Sequence, residues 1–319
     1  MSFADTNYLI HINGNAGEIL KVEHNFIKPT LIAHNQRALL FDRAGSQFMI
    51  ASSSKVLYSS KQTEKTLSQN IITAALGKTG NVAFGTWSDE GVCQMNVFGY
   101  KLEKRFEYNF ASDRITSLSL SDNGKYVAVS VLGAKDAQIY SIIYIFALDS
   151  TKPVVNQKIA GETVTNIDFL GNKSVNVIST RKRYVVSLDK GIETKSTVDF
   201  QTHTLTGVSF DNDSARSAVL LSEYGNSGSN ILYGFSDSGK KQFEIKVKNV
   251  KKIDCNRKYV VALADDKVYC YNNSGKLRGE ITLSFNVDDV KLCGGRLYLF
   301  SGNKIYSCRP NRTITLETE

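Results

Sequence analysis

A fixed spacing of apolar residues recurs along the chain: one large apolar residue is followed by others three and five positions later. The clear sets are Ile71, Ala74, Leu76; Ile115, Leu118, Leu120; Val164, Ile167, Phe169; Leu205, Val208, Phe210; Val250, Ile253, Cys255; and Val287, Val290, Leu292. A weaker set, Pro29, Ile32 and His34, precedes them. A repeat of about 40–45 residues with about four short strands is typical of a β-propeller.

One repeat illustrates the predicted blade. Residues 115–121 alternate apolar and small polar residues, as a strand with one buried side should. Asp122-Asn123-Gly124 then predicts a tight turn, because Asn and Gly tolerate the left-handed backbone. Further strands are predicted at 125–131, 140–147 and 154–159, with a polar loop over 133–138. We therefore expect an all-β chain of four-stranded blades.

The number of blades follows from the first strands. Seven sets predict a seven-bladed propeller that occupies residues 1–319 as one domain. The last repeat ends with strand 304–308, so the N-terminal segments 8–12 and 18–24 are expected to complete that blade. Closing the ring in this way would remove a free sheet edge. Segments 8–12 and 304–308 both have the pattern of a third strand, and an eighth blade is the alternative.

Composition places few limits on function. The chain has 319 residues, a net charge of +8 and 42% hydrophobic residues, as expected of a globular protein. Basic residues gather at 181–183 and 246–258. A solvated surface is the favoured interpretation, and binding of an anionic cell-envelope polymer is the alternative. No motif that interleaves basic and aromatic residues accompanies the charge, so we expect no nucleic-acid partner.

Reactive motifs are missing from the sequence. The five cysteines form no CxxC pair, and Cys255, Cys270 and Cys308 lie in apolar strand patterns, so we expect reduced packing residues. There is no HExxH, GxSxG or GxxxxGK[ST] motif. We therefore expect no enzyme, no metal and no cofactor. The alternative is a glycan- or peptide-processing enzyme whose central carboxylates would come from first strands: Asp168, Asp254, Asp288 and Asp289.

The loops between second and third strands supply the candidate binding face. Trp87, the only tryptophan, leads into the polar stretch Ser88-Asp89-Glu90-Gly91. Tyr224 lies in another long loop, 222–229. Because loops on a rigid scaffold often carry binding residues, we predict a face that contains Trp87, Asp89, Glu90 and Tyr224. The alternative for Trp87 is packing against its own blade.

Four segments resemble one group of proteins: VEHNFIKP (22–29), RALLFDRAG (37–45), NIITAALGKTGNVAFGT (70–86) and SLSLSDNGKYVAVS (117–130). They are similar to an uncharacterised family of bacterial propellers, usually tethered to the membrane by an N-terminal helix with the propeller outside. The DRAG segment is similar to that family's Asp-Arg-Gly-Gly motif, with Ala44 in place of a glycine. The family has no established activity, so the resemblance implies no site residues.

The resemblance and the sequence differ at the N-terminus. The first residues have neither a basic start nor a long apolar stretch, so no signal peptide, anchor helix or membrane insertion is expected from this chain. The resemblance implies an extracytoplasmic, membrane-tethered location. The chain lacks Trp-Asp dipeptides, and its single tryptophan argues against the quinone-cofactor propellers, which have one tryptophan per blade. We expect a monomeric, non-catalytic binding or scaffold propeller with a protein partner.

Overall fold

Strands make up almost all of the regular structure. A computed structural model of the chain describes residues 2–13, 17–34, 36–43, 45–60, 67–223 and 225–317. Within these ranges the strands form eight sheets, each built on a meander of antiparallel neighbours, and one of them gains a parallel edge strand from the C-terminal segment. We number the sheets as blades 1 to 8 in chain order. The contacts divide the chain into two compact units, residues 1–180 with 184–194, and residues 181–183 with 195–319.

The first unit holds blades 1 to 4 and most of blade 5. Their strands are β1 (Ser2–Ala4), β2 (Tyr8–Ile12), β3 (Glu18–Glu23); β4 (Pro29–His34), β5 (Arg37–Asp42), β6 (Phe48–Ser52), β7 (Val56–Ser59); β8 (Ile71–Leu76), β9 (Val82–Trp87), β10 (Cys93–Phe98), β11 (Lys104–Phe110); β12 (Arg114–Leu120), β13 (Tyr126–Lys135), β14 (Gln138–Ala147), β15 (Pro153–Ala160); and β16 (Val164–Leu170), β17 (Ser174–Ser179), β18 (Lys182–Ser187), β19 (Gly191–Ile192).

The second unit holds blades 6 to 8, preceded by a 3-10 helix at Thr194–Ser196 and a short strand that pairs with β18, namely β20 (Val198–Asp199). The remaining strands are β21 (Thr204–Asp211), β22 (Arg216–Glu223), β23 (Asn226–Phe235), β24 (Lys241–Lys248); β25 (Lys252–Cys255), β26 (Tyr259–Leu263), β27 (Lys267–Asn272), β28 (Leu277–Leu283); β29 (Asp289–Cys293), β30 (Arg296–Ser301), β31 (Lys304–Cys308); and β32 (Thr313–Leu316).

The apolar sets found in the sequence lie in the first strands of blades 2 to 8, as predicted, except that Val250 and Val287 precede β25 and β29. In blade 4, Ile115, Leu118 and Leu120 are buried against blade 3 together with Phe106 and Phe110. The second strand β9 is buried on both sides, because blade 3 packs between blades 2 and 4. This burial explains why second strands have runs of apolar residues rather than strict alternation.

The structure has eight blades, so the prediction of seven is wrong and the alternative of eight is confirmed. Segments 8–12 and 18–24 do form a hairpin, but β1 joins β2 to make a three-stranded sheet at the N-terminus. The sequence pattern missed β1 because it has only three residues. Blade 8 likewise has three strands, and the C-terminal strand β32 pairs in parallel with β28 of blade 7.

Glycine is required where β32 joins blade 7. A Cβ atom on Gly279 of β28 would lie 2.6 Å from the carbonyl oxygen of Pro310 and 2.7 Å from that of Arg312. A larger residue would push the C-terminal segment away from the sheet. The close approach lets Glu280 to Leu283 pair with Thr313 to Leu316.

The prediction of a polar loop over residues 133–138 is also wrong, because most of this segment is β-strand. Strands β13 and β14 continue through it until Lys135 pairs with Gln138, and only Asp136 and Ala137 form the turn. Both turn residues have positive φ, as a two-residue hairpin requires. The polar character of this segment reflects exposure of the hairpin rather than a lack of strand pairing. In blade 6, Glu223 likewise pairs with Asn226 within the predicted loop 222–229.

Side chains of one first strand bind the free backbone edge of the next. The amide of Ile167 donates to Ser117 Oγ at 3.2 Å, and that of Phe169 donates to Ser119 Oγ at 2.9 Å. In the second unit, the amide of Cys255 donates to Ser209 Oγ at 3.1 Å. These bonds satisfy N–H groups that the sheet's own ladder leaves unpaired.

Asp254 extends this pattern with a carboxylate. It is buried, accepts from the hydroxyl of Ser209 at 2.9 Å and accepts from the amide of Leu292 at 2.7 Å. Lys291 lies 3.3 Å away and balances its charge. One side chain therefore connects the first strands of blades 6, 7 and 8.

We predict that Asp254→Ala destabilises the protein by about 2–3 kcal/mol, because it leaves the buried hydroxyl of Ser209 and the partly buried amide of Leu292 without their acceptor. Urea denaturation followed by circular dichroism measures the change. The control is Asp265→Ala, which removes an exposed ion pair to Lys251 and should cost under about 1 kcal/mol. Equal effects of the two substitutions would contradict the assigned role of Asp254.

All five cysteines are free thiols, and four of them are buried. Burial raises the pKa of Cys255 and Cys270 to about 12 and that of Cys308 to about 11. We predict that one thiol per native molecule, Cys293, reacts readily with a thiol reagent at pH 8, and that all five react in denaturant. Rapid reaction of a second native thiol would contradict this assignment.

Candidate functional site

Trp87 ends strand β9 and stays partly accessible. Its side chain is 38% exposed, and its amide donates to the carbonyl of Asn70 at 3.1 Å. The guanidinium of Arg114, the first residue of β12 in the next blade, lies 4.8 Å from the indole ring centroid. This cation–π contact holds the ring at the edge shared by blades 3 and 4.

The two acidic residues that follow Trp87 are exposed and oriented by amides. The side chain of Gln69 donates to Asp89 Oδ2 at 2.5 Å. The side chain of Asn109 donates to Glu90 Oε2 at 3.4 Å. Both acids can therefore meet a partner without first becoming ordered.

On blade 4, the side chains of Tyr140, Asp113 and Lys158 form a second group of contacts next to Arg114. The hydroxyl of Tyr140 donates to Asp113 Oδ1 at 2.8 Å, and this bond raises the pKa of Tyr140. The ammonium of Lys158 lies 4.0 Å from the ring centroid of Tyr140. We name the whole set the rim surface: Trp87, Asp89, Glu90, Asp113, Arg114 and Tyr140.

A cleft of about 390 Å³ lies between blades 2 and 3, beside the rim surface. The side chain of Gln94 in this cleft donates to Asn109, which in turn binds Glu90. Thr86 in the cleft precedes Trp87 in the chain. Apolar residues, neutral polar residues and one lysine line it: Phe48, Leu67, Ser68, Thr86, Gln94, Asn96, Phe98, Leu102 and Lys104.

The predicted site residues are only partly brought together. Trp87, Asp89 and Glu90 share the rim surface, while Tyr224 lies outside the described residues. Their role in binding stays a prediction. Sequence reasoning missed Arg114 and Tyr140 because each meets its partner, 27 residues away in the chain, through tertiary packing: Arg114 contacts Trp87 of the neighbouring blade, and Tyr140 contacts Asp113 within blade 4. One feature of the sequence could have indicated the cleft: the third strand of blade 3 has the polar residues Gln94 and Asn96 where that of blade 4 has Ile142 and Tyr144.

The carboxylates considered for an enzyme have other environments. Asp254 is held by the bonds between blades described above. Asp288 accepts from the amide of Gly302 at 2.9 Å, and Asp289 accepts from the amide of Val290 at 2.9 Å. Asp168 differs, because burial raises its pKa to about 7, and its Oδ2 has no hydrogen-bond partner among the described residues.

The two clusters of basic residues, 181–183 and 246–258, differ in how far they are exposed to solvent. Arg183 is fully buried, stacks 4.1 Å from the ring centroid of Phe235 and donates to the carbonyl of Gly239 at 2.6 Å. Burial lowers its pKa to about 10. It therefore stabilises the second unit rather than presenting charge. The basic residues of 246–258 are all exposed: Lys246, Lys248, Lys251, Lys252, Arg257 and Lys258.

Comparison with protein-family models identifies the family to which this chain belongs. Residues 5–309 match the model described as "Family of unknown function (DUF5711)". The chain belongs to this family. This confirms the resemblance to an uncharacterised family, while membrane tethering stays a proposal. No curated protein matches the sequence.

Solved structures show the same fold at low identity. BamB from Moraxella catarrhalis is 12% identical, with a TM-score of 0.58 over 96% of this chain and 92% of that one. Hsv2 from Kluyvelomyces marxianus is 14% identical, with a TM-score of 0.51 over 79% of this chain and 83% of that one. These likenesses confirm the β-propeller class.

Two absences hold for the part of the chain that the structure describes. No group of three or more His, Cys, Asp or Glu side chains there could hold a metal ion. No helix there is both long and apolar enough to cross a membrane.

Because Trp87 is the only tryptophan, its fluorescence reports the rim surface directly. We predict that Arg114→Ala increases acrylamide quenching of this fluorescence, because it removes a contact worth about 0.5–1 kcal/mol that covers one ring face. Arg105→Ala, on the exposed side of β11, should leave quenching unchanged. Unaltered quenching in the Arg114 variant would show that the pair does not form in solution.

Proposed function

We propose that this chain is a non-catalytic propeller that binds another protein through the rim surface. The observation that carries the proposal is the half-exposed Trp87, held by Arg114 and flanked by Asp89 and Glu90. Tryptophan, tyrosine and arginine dominate the binding energy of protein interfaces. Fixing them before binding lowers the entropy cost of association.

The charges of the rim surface favour one kind of partner. Three acids, Asp89, Glu90 and Asp113, surround two aromatic rings and one arginine on a protein whose net charge is +8. Tyr140 already binds Asp113, but Asp89 and Glu90 keep exposed oxygens. The surface therefore suits a partner segment with basic and apolar side chains.

The family resemblance supports a location outside the cytoplasmic membrane, with the propeller tethered to it. In this proposal the chain acts as a monomeric binding module of the cell envelope. Its likeness to BamB and Hsv2 contributes the fold alone, and the rim residues contribute the binding chemistry.

One other function has a specific observation in its favour. The exposed cations of 246–258 could bind an anionic envelope polymer. Exposed lysines on an outer strand such as β24 also block pairing between sheet edges, which accounts for Lys246 and Lys248 without a ligand. Binding to a polymer would weaken steeply with salt, whereas binding at the rim surface would weaken modestly.

The test uses a photo-crosslinking residue at position 90 in cells that express the chain, with position 100 as the control site. The expected result is one protein crosslinked from position 90 and absent from position 100. With that protein purified, Trp87→Ala should weaken binding at least tenfold, as loss of a central aromatic does.

Tyr100→Ala is the matched variant, because Tyr100 is 56% exposed and also stacks on an arginine, Arg37 at 3.5 Å. It lies at the other end of the blade 3 strands and should leave affinity unchanged. Equal loss in both variants, or turnover of a glycan or peptide by the purified chain, would refute the proposed function.

A further inference from the structure

One position of the third strand is a tyrosine in most blades. This position is the residue that pairs, through the second strand, with the middle residue of the apolar set in the first strand. The paths are Leu118 to Val129 to Tyr144, Val208 to Val219 to Tyr233, Ile253 to Ala262 to Tyr269, and Val290 to Leu299 to Tyr306. In blade 2 the same path ends at Ile50. In blade 3 it runs from Ala74 through Phe84 to Asn96.

Blade 4 shows what the tyrosine does. Tyr144 packs between blades 3 and 4, with its ring centroid 5.8 Å from that of Phe110 and 5.9 Å from that of Phe146. Ile142 and Val131 pack in the same cluster. Together these side chains fill the outer part of the space between the two blades.

Blade 3 presents polar residues at the matching positions. Asn96 replaces Tyr144, Gln94 replaces Ile142 and Thr86 replaces Val131. The neighbouring outer strand is also shorter, since β7 has four residues and β11 has seven. The cleft of about 390 Å³ is the space that results, and its size is in the range of ligand sites.

The walls of this cleft suit an aromatic ring. Phe48 and Phe98 belong to one aromatic group, because each ring contacts Phe84, at 4.8 and 6.2 Å between centroids. Leu67 adds aliphatic surface. A ring inserted here would meet edges and faces of the kind that aromatic pairs prefer.

The amide-rich part of the wall suits a hydroxyl group on that ring. The side chain of Asn96 donates to Gln94 Oε1 at 2.7 Å, and Gln94 donates to Asn109 at 2.9 Å. These two bonds fix the amide orientations, so that the carboxamide oxygen of Asn96 can accept from a ligand. The hydroxyl of Thr86, also at this wall, can donate or accept.

We propose that the cleft between blades 2 and 3 binds a tyrosine side chain of the partner protein, supplying the ring that blade 3 lacks. This inference rests on the proposed function, because it takes the ligand from a protein. The cleft is continuous with the rim surface through Gln94, Asn109 and Glu90. A partner segment on Trp87 can therefore place a neighbouring side chain in the cleft.

The direct test is an NMR titration with N-acetyl-tyrosinamide, p-cresol and N-acetyl-leucinamide. We expect saturable shifts of the Asn96 and Gln94 side-chain amides with both phenols, at a Kd on the order of 1 mM for fragments of this size, and none with the leucine derivative. Asn96→Tyr should weaken phenol binding at least tenfold, because the new ring fills the cleft.

Asn156→Tyr is the matched control, since Asn156 is exposed on β15 and lies opposite Tyr144. It should retain full binding. Thermal unfolding checks that Asn96→Tyr folds, and Gln94→Ile, which installs the blade 4 residue, provides the same comparison if it does not.

Three outcomes would overturn the inference. They are no saturable binding to the wild type, binding unaffected by both cleft variants, or binding of p-cresol without N-acetyl-tyrosinamide, which would indicate a free small aromatic ligand. Its failure is separable from failure of the proposed function, because the crosslinking and Trp87→Ala experiments do not use the cleft. A partner that loses affinity with Trp87→Ala while the cleft binds no phenol would leave the proposed function standing.

Discussion

The free backbone edge of each inner strand is the constraint on which the blades depend. A first strand pairs with its own second strand on one side only, and its other N–H groups need acceptors. Ser117, Ser119, Ser209 and Asp254 provide them for the following blade. The apolar residues of each set bury the faces of the sheets, while the residues between them join consecutive first strands. This arrangement explains why small polar residues alternate with the apolar ones in these strands.

The outer part of a blade is under a weaker constraint. Once the inner strands are joined and the faces near them are buried, the third and fourth strands can vary. Tyr144 and Phe146 use this freedom for packing, and Asn96 and Gln94 leave space instead. Positions that depart from a repeat without an evident gain in stability are where function is expected. Blade 3 carries both such a departure and the sole tryptophan.

Much of the fold could be predicted because its signals are local. The apolar sets identified the first strands, and turns such as Asp122-Asn123-Gly124 separated first from second strands correctly. The number of blades could not be predicted, since β1 is too short to show a period. The polar hairpin around Asp136 looked like a loop because backbone pairing, which side-chain polarity does not report, holds it together.

The candidate site was predictable only in part, for a similar reason. Trp87 with its acidic neighbours stood out because a single tryptophan in a polar stretch is visible in the sequence. Its contact with Arg114 depends on packing between two blades. Arg183 shows the opposite error, since a run of three basic residues looked exposed although one of them is fully buried against Phe235.

The C-terminal strand has a consequence for assembly. By pairing in parallel with β28, residues 313–316 occupy backbone groups that would otherwise be open to another chain. The close fit at Gly279 leaves no room for a side chain beneath this segment. These residues lie beyond the region that matches the family model, which ends at 309. A molecule without them would expose an unpaired sheet edge on blade 7, and self-association by strand addition would then compete with its folded, separate state.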